Sequence, residues 1–347
     1  MTEAADIFQS PDSFREAFID GLEQMLAEHN GLGVFILVLA NATYDGAIQQ
    51  RLKPALRERF CLLSEQMRSA LLAGRPLTDA PDDLLVFLKL MAVGFGGLEL
   101  TRFRQVDGFE LQFNPLRAYR PARMSNALVT ELFRPFDPSG FHFNKPFLQK
   151  EVFWEGDLQG QPCRLLYNKF PFAELHGLLV IAPDDNKPQW LTESDHHAVW
   201  KISENLGETL PNVGFGYNSY GAFASVNHQH MQMFVRSEGE YPLQAQRWRH
   251  SGGGEAYPLE CHRYREADEA WEHIHRLHEQ KRPYNLLYRP GCLYVLPRNF
   301  QGSYQHAEWT GGFAWAEVCG AITTFNAEDF RSLDGSAIRE EMAKLRD

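Results

Sequence analysis

The chain has 347 residues, of which 44% are hydrophobic and 13% aromatic, and this apolar content is sufficient for a large buried core. Asp and Glu number 45 against 34 Lys and Arg, so the formal net charge is −11. This composition excludes global disorder and a broad basic surface for nucleic acid or an anionic membrane. The five cysteines are widely spaced without a Cys-x-x-Cys pair, which predicts neither a disulfide framework nor a cysteine zinc site.

The first hundred residues have the pattern of a helical region. Between Ser10 and about Leu72 apolar residues recur every three or four positions, and we assign residues 1–100 to a helical N-terminal region. Leu32 to Ala40 and Leu84 to Phe95 are apolar but too short or interrupted for a membrane span, so we interpret both as core elements. The N-terminus lacks the basic residues of a secretory signal, and together with the cysteines this predicts a cytoplasmic location.

Alternating runs and turn residues replace the helical pattern after residue 100. Thr192 and Asp195 form a capping signature that predicts the start of a helix. Strand-like alternation is found on both sides of that helix, at Arg164 to Tyr167, Gly177 to Ala182, Phe215 to Tyr217, His228 to Val235, Tyr284 to Tyr288 and Leu293 to Leu296. The order of these elements predicts an α+β fold built on an antiparallel sheet.

The segment Asn227-His-Gln-His-Met-Gln-Met-Phe-Val235 has the most distinctive pattern in the chain. If it forms a strand, His228, His230 and Gln232 share one face, with neighbouring side chains about 7 Å apart. A neutral imidazole can attack phosphorus near pH 7, and an adjacent carboxamide can donate to a phosphoryl oxygen without acting as a general base. This arrangement favours a transferase, although His-x-His also occurs as a metal-binding pair or as structural histidines.

The residues just before this segment contain a possible phosphate-binding turn. Gly221 permits close backbone approach, and Asn218 and Ser219 offer donors for phosphate or ribose oxygens. A tight turn that uses these residues only for their backbone preferences is the structural alternative.

The stretch Gly216-Tyr-Asn-Ser-Tyr-Gly-Ala-Phe-Ala-Ser-Val-Asn-His-Gln-His-Met-Gln232 resembles the active-site segment of the GDP-hexose phosphorylases. That family belongs to the histidine-triad superfamily, with the galactose-1-phosphate uridylyltransferases and the diadenosine tetraphosphate phosphorylases. The resemblance covers about residues 100 to 330 and leaves the N-terminal helical region unmatched. Further similar segments are Asn114 to Pro121, Arg134 to Asp137, Phe141 to Lys145, Arg282 to Leu287 and Tyr294 to Arg298.

The resemblance implies a histidine-triad-like antiparallel sheet with flanking helices, arranged as two halves of one chain. Residues 101–250 would form the catalytic half and residues 251–347 a degenerate second half, as a monomer with an internal pseudo-dimer or as a homodimer. The implied reaction is phosphorolysis of a sugar nucleotide, with inorganic phosphate or a sugar 1-phosphate as the other substrate. No nucleic acid, membrane, metal or cofactor is expected.

The resemblance also implies roles for individual residues. His230 would be the nucleophile, His228 would orient or polarise it, and Gln232 would bind the transferred phosphoryl group. Asn218 and Ser219, with Gly221, match the turn that contacts phosphate and ribose. His176 matches a histidine before a core strand in many members, although a core histidine that serves only structure fits equally well.

Positive charge for a pyrophosphate would come from Arg117, Arg120 and Lys169. Asn168 and Lys169, in Asn-Lys-Phe-Pro171, resemble the diadenosine tetraphosphate phosphorylases at least as much as the GDP-hexose enzymes. A diadenosine polyphosphate phosphorylase is therefore the first alternative, and a non-catalytic nucleotide- or metal-binding protein is the second. We expect three further histidines to face solvent, namely His273, His275 and His278.

Overall fold

The computed structural model describes residues 7–120, 128–237 and 239–346. Within these ranges the α-helices are α1 (Pro11–Glu28), α2 (Leu32–Tyr44), α3 (Gly46–Leu72), α4 (Pro81–Val93), α5 (Pro115–Ala118), α6 (Glu193–Thr209), α7 (Ala267–Glu279), α8 (Trp315–Val318), α9 (Ala327–Ser332) and α10 (Gly335–Ala343). The strands are β1 (Arg102–Val106), β2 (Phe109–Phe113), β3 (Val152–Leu158), β4 (Gln161–Tyr167), β5 (Gly177–Ile181), β6 (Val213–Asn218), β7 (Met231–Val235), β8 (His262–Tyr264), β9 (Tyr284–Arg289), β10 (Cys292–Pro297) and β11 (Ala321–Thr324).

Eight strands form the main sheet, in the order β3-β4-β5-β7-β6-β9-β10-β8. Every neighbouring pair in it is antiparallel. A second sheet has the order β1-β2-β11, and its β2–β11 pair is parallel. The expected α+β fold with an antiparallel sheet and flanking helices is confirmed.

The two faces of the main sheet belong to different cores. Met231, Met233 and Val235 of β7 pack in one core with α1, α2, α6 and α7. Phe234 points the other way, into a second core with β2, α8 and α10. The alternation read from the sequence is therefore correct along β7, because successive side chains of a strand lie on opposite faces.

The N-terminal helices pack directly on the sheet. Nearly all side chains of α2 are buried, as expected for the apolar segment Leu32 to Ala40. The hydroxyl of Tyr167 on β4 donates to the backbone oxygen of Phe18 on α1 at 2.9 Å. No helix in the described part of the chain has both the length and the apolar content to cross a membrane.

Helix α6 begins where the sequence indicates. The Oγ1 atom of Thr192 accepts from the backbone N–H of Asp195, and Oδ2 of Asp195 accepts from the backbone N–H of Thr192. This reciprocal capping satisfies two N–H groups that the first turn leaves without partners. Because α6 connects β5 to β6, its start also fixes the loop of residues 183–190 beside the His-x-His segment.

The predicted boundary at residue 250 separates strands that pair with each other. Strand β6 pairs with β9 through Phe215 and Tyr288, and through Asn218 and Asn285. Strands β8, β9 and β10 thus extend the sheet of the preceding segment. The division into two histidine-triad-like halves and the oligomeric state stay predictions.

Candidate active site

A cavity of about 560 Å³ lies beside the end of β7 where the His-x-His segment enters the sheet. It is lined by residues from α4, the segment before β3, strands β4 and β5, and the loop before β7. The lining residues are Ala80 to Asp83, Arg120, Phe141, Phe143, Phe147, Leu148, Glu151, Leu166 to Phe170, Phe172, Leu178, Ser225, Val226, His230 and Gln232. The candidate residues His230, Gln232, Asn168, Lys169 and Arg120 are therefore brought together.

The orientation of the His230 ring leaves one nitrogen open to the cavity. Its Nδ1 lies 2.8 Å from the backbone oxygen of His228, which can only accept, so Nδ1 carries the proton. The lone pair is then on Nε2, which has no hydrogen-bond partner among the described residues. Burial lowers the pKa of His230 to about 4, so the ring is neutral and nucleophilic near pH 7.

The strand does not include either histidine. β7 begins at Met231, whereas the sequence predicted a strand from His228. The reason is the hydrogen-bond partner of the backbone: the N–H of Gln229 donates to the backbone oxygen of Lys187, and that of His230 to Oε1 of Gln189. Both acceptors belong to the loop before α6 and not to a neighbouring strand.

Gln189 holds the His-x-His segment and was not identified from the sequence. Its Oε1 accepts from the N–H of His230 at 3.0 Å, and its Nε2 donates to the backbone oxygen of Asn218 at 2.9 Å. The side chain is 2% exposed. Nothing local distinguishes this residue from other polar loop residues, because its partners are about thirty and forty residues away along the chain.

The imidazole of His228 lies against aromatic rings and does not line the cavity. Its Nδ1 accepts from the backbone N–H of Phe143 at 3.1 Å, and its ring centroid is 5.4 Å from that of Phe136. Burial lowers the pKa of His228 to about 4. Its effect on His230 is therefore exerted through its backbone oxygen, while its side chain fixes the segment around Phe143.

Two donors orient the carboxamide of Gln232. Its Oε1 lies 3.0 Å from Nε1 of Trp315 and 3.2 Å from Nε2 of His176. The indole nitrogen can only donate, and His176 is set to donate because its Nδ1 accepts from the N–H of Phe172. The amide Nε2 of Gln232 is left as a donor facing the cavity, without an acceptor in the described ranges.

His176 thus acts on Gln232 and not on the cavity itself. It is fully buried, and this burial lowers its pKa to about 3. A neutral imidazole donates from one nitrogen only, so the Phe172 contact and the Gln232 contact together fix its tautomer.

Asn168 and Lys169 follow the end of β4 and bring polar groups to the cavity. The Nζ atom of Lys169 is 2.6 Å from Oδ1 of Asp83 on α4. Asn168 caps the backbone N–H of Phe170 at 3.0 Å, and the guanidinium of Arg120 lies 5.8 Å from the ring centroid of Phe170. The N-terminal helical region therefore contributes to the cavity, which the sequence did not indicate.

Besides His176, three candidate substrate-binding residues lie outside the cavity lining. Oδ1 of Asn218 accepts from Nδ2 of Asn285 at 2.7 Å and from the backbone N–H of Trp315 at 2.8 Å. Oγ of Ser219 accepts from the N–H of Tyr284 at 2.9 Å. Gly221 has a φ of +89° and lies against Phe300. This turn leads from β6 toward β7 and is hydrogen-bonded to β9 and α8, and its role in substrate binding stays a prediction.

Arg117 is also placed in the scaffold. Its NH1 donates to the backbone oxygen of Phe170 at 2.7 Å, and its guanidinium stacks on the ring of Phe172 at 4.5 Å. Burial lowers its pKa, but the side chain does not line the cavity. Of the three expected cations, Arg120 and Lys169 reach the cavity.

The expectation that the histidines of α7 face solvent is wrong for two of them. His273 is 8% exposed and bonds the hydroxyl of Tyr264, and His278 stacks on Trp190 and bonds the hydroxyl of Tyr284. The strong amphipathicity of α7 turns both toward the sheet, while His275 is exposed.

One group in the described part of the chain has metal-ligand geometry, formed by Glu260, His262 and His273. The carboxylate of Glu260 is already paired with Arg282 at 3.0 Å and with His262 at 2.8 Å. The guanidinium of Arg276, whose charge also acts on His273, further opposes a cation there. None of the three residues lines the cavity.

The fold and the site define the class: an α+β protein with an antiparallel sheet and a buried His-x-His-x-Gln segment at a cavity. Residues 102–234 match the family described as GDPGP1-like, N-terminal domain. This stretch of the chain is similar to that family, which agrees with the resemblance to GDP-hexose phosphorylases. It includes His230, Gln232 and Lys169 but neither α4 nor Trp315.

Two curated relatives are similar to part of the chain. GDP-D-glucose phosphorylase 1 of Danio rerio is 35% identical over 126 residues, which are 36% of this chain and 35% of the relative. GDP-D-glucose phosphorylase 1 of Macaca fascicularis is 32% identical over 133 residues, 36% of this chain and 34% of the relative. The match thus spans about a third of the length of these relatives.

Among solved structures, yeast Ap4A phosphorylase Apa2 is similar with a TM-score of 0.49 at 16% identity, over 78% of this chain and 95% of that one. Its complex with Ap4A gives a TM-score of 0.48 at 17% identity, over 78% of this chain and 98% of that one.

Proposed function

We propose that the protein is a nucleotidyltransferase that phosphorolyses a GDP-hexose to GDP and hexose 1-phosphate. The observation that carries the proposal is the free Nε2 of His230 beside the free amide donor of Gln232 in one cavity. The choice of a GDP-hexose is supported by the names of the two curated relatives. The five free cysteines support a reducing, cytoplasmic setting for this activity.

In the first half-reaction Nε2 of His230 attacks the α-phosphorus, a P–N bond forms, and the P–O bond to the β-phosphate breaks. Hexose 1-phosphate leaves with the electron pair and needs no proton. The ring gains positive charge when Nε2 is substituted, and the His228 carbonyl that accepts from Nδ1 stabilises this charge. Gln232 donates to a phosphoryl oxygen of the transferred group.

In the second half-reaction inorganic phosphate attacks the guanylyl group and His230 leaves as neutral imidazole, which gives GDP. Gln232 cannot take a proton from water, so the intermediate is preserved for an anionic acceptor that needs no base. Two in-line displacements predict net retention at phosphorus.

The test is incubation with GDP-glucose in the absence of phosphate, followed by intact mass measurement. We expect a gain of one guanylyl group on His230, and release of GDP when phosphate is added. The variant His230→Ala should lose both while remaining folded, and His275→Ala, on the exposed side of α7, should keep both. An active His230→Ala enzyme would refute the proposal.

A diadenosine polyphosphate phosphorylase is the second candidate, favoured by Asn168 and Lys169 at the cavity. The same assay with diadenosine tetraphosphate separates the two activities, since adenylyl and guanylyl adducts differ in mass. Binding of nucleotide without any adduct would instead indicate a non-catalytic nucleotide-binding protein.

A further inference from the structure

The cavity contains a carboxyl group that the proposed chemistry does not use. Glu151 ends the 3₁₀ turn of residues 146–151, immediately before β3, and its side chain lines the cavity with Lys169 and Asp83. It lies within the wall that the N-terminal helix α4 and the segment before β3 form together. The inference below rests on the proposed function, because it assigns this carboxyl to the same substrate.

The carboxyl of Glu151 is half-buried and has no hydrogen-bond partner in the described ranges. Lys169, the cation that attracts this carboxylate most strongly, directs its Nζ to Oδ1 of Asp83 at 2.6 Å. Burial outweighs the attraction of Lys169 and raises the pKa of Glu151 to about 7. Withdrawing a carboxyl from water without a new hydrogen bond is costly, so a partner from the cavity would stabilise it.

A second observation indicates that this cavity takes a ligand. His230 and Gln232 are 6% and 9% exposed, and the free Nε2 of each faces the same space as Glu151. Polar groups as buried as these normally have partners. Two side chains of the His-x-His-x-Gln segment and one from the turn before β3 thus present unused hydrogen-bonding groups to one cavity.

We propose that Glu151 contacts the substrate and selects it by accepting hydrogen bonds from its O–H or N–H groups. Two parts of a GDP-hexose offer such donors: the hydroxyls of the hexose, and the adjacent N1–H and N2–H₂ of guanine. Adenine lacks that pair of donors, so a contact between Glu151 and guanine would also select guanine over adenine. With either donor, the N-terminal helical region completes the wall of the substrate site through Asp83 of α4, which pairs with Lys169.

The experiment is calorimetric titration of wild type, Glu151→Gln and Glu151→Ala with two probes. GDP carries guanine without hexose, and glucose 1-phosphate carries hexose without guanine. We expect both variants to lose about tenfold or more in affinity for one probe, because a hydrogen bond to a charged group is lost, and to keep the affinity for the other. The matched control is Glu58→Gln, an exposed carboxylate on α3 remote from the cavity.

The outcomes separate this inference from the proposed function. Unchanged affinities of both variants for both probes would overturn the role of Glu151, even with a normal guanylyl adduct. If the wild type binds a probe, the Glu151 variants lose that affinity, and no guanylyl adduct forms, the proposed phosphorylase activity would be overturned and the binding role of Glu151 would stand. A wild-type protein that binds neither probe would overturn both. Far-UV circular dichroism checks that each variant is folded.

Discussion

The indole Nε1 of Trp315 lies 3.0 Å from Oε1 of Gln232, and the two residues are 83 positions apart in the chain. The backbone N–H of Trp315 also donates to Oδ1 of Asn218. One residue of α8 thus fixes both the carboxamide at the cavity and the end of β6. Since the indole can only donate, it determines which end of the Gln232 amide faces the cavity.

Replacing Trp315 by Phe should slow nucleotidyl transfer. One of the two donors to Gln232 is lost, and a hydrogen bond of this type contributes about 1 kcal/mol, or about a fivefold rate. The measurement is the single-turnover rate of adduct formation. Trp309→Phe removes an indole that packs on Phe313 and should leave that rate unchanged; equal rates for both variants would contradict the role of Trp315.

Gly216→Ala should displace the Trp315 ring and so disturb its hydrogen bond to Gln232. A methyl group at this position of β6 would overlap the ring of Trp315. We expect a loss of about 1–3 kcal/mol in the free energy of unfolding, because the core cannot accommodate the added volume, together with reduced turnover. Gly254→Ala is the control, since no heavy atom lies within 4 Å of its added carbon. Urea denaturation of both variants provides the test.

Gln189→Ala should affect stability and chemistry together. The change leaves the N–H of His230 and the backbone oxygen of Asn218 without their partner, at an expected cost of about 1–3 kcal/mol. Displacement of His230 should also lower the adduct rate by about tenfold or more. Gln246→Ala, an exposed site, controls for the loss of a glutamine. A Gln189→Ala protein with normal adduct kinetics would show that the loop does not position His230.

The buried histidines predict a loss of stability in mild acid. The pKa values of His176, His228 and His230 are lowered from 6.5 to between about 3 and 4, so the unfolded chain binds protons that the folded state excludes. Their stabilisation is present above pH 6.5 and is lost as the pH falls toward 4. The expected slope is about 1.4 kcal/mol per pH unit for each histidine.

Denaturation at several pH values between 7 and 4 tests this prediction. His176→Gln should flatten the profile by the contribution of one histidine. Glu151 acts in the opposite direction, because its pKa is raised from 4.5 to about 7 and its stabilisation is lost as the pH rises through that range. Glu151→Gln should therefore steepen the acid loss, and a profile independent of His176 would contradict the assignment.

Features that depend on neighbouring residues could be predicted from the sequence. The capping residues of α6, the alternation along β7 and the antiparallel sheet follow from local spacing. His230 and Gln232 could be proposed together because they lie within three positions, and the structure places both at one cavity. The contacts of Asn218 and Ser219 with β9 and α8 could not be read from local spacing, because their partners lie more than sixty residues away, and their role in substrate binding stays a prediction.

The sequence by itself determined that His230 and Gln232 lie in one short segment and that alternate side chains of β7 lie on opposite faces of the sheet, because local spacing sets both. Only the tertiary structure decided how His230 is held and what surrounds it. Gln189, Trp315 and Glu151 come from a loop, a C-terminal helix and a turn, and Asp83 comes from the N-terminal helices. Their roles arise from hydrogen bonds and burial between segments far apart in the chain, which no local pattern records.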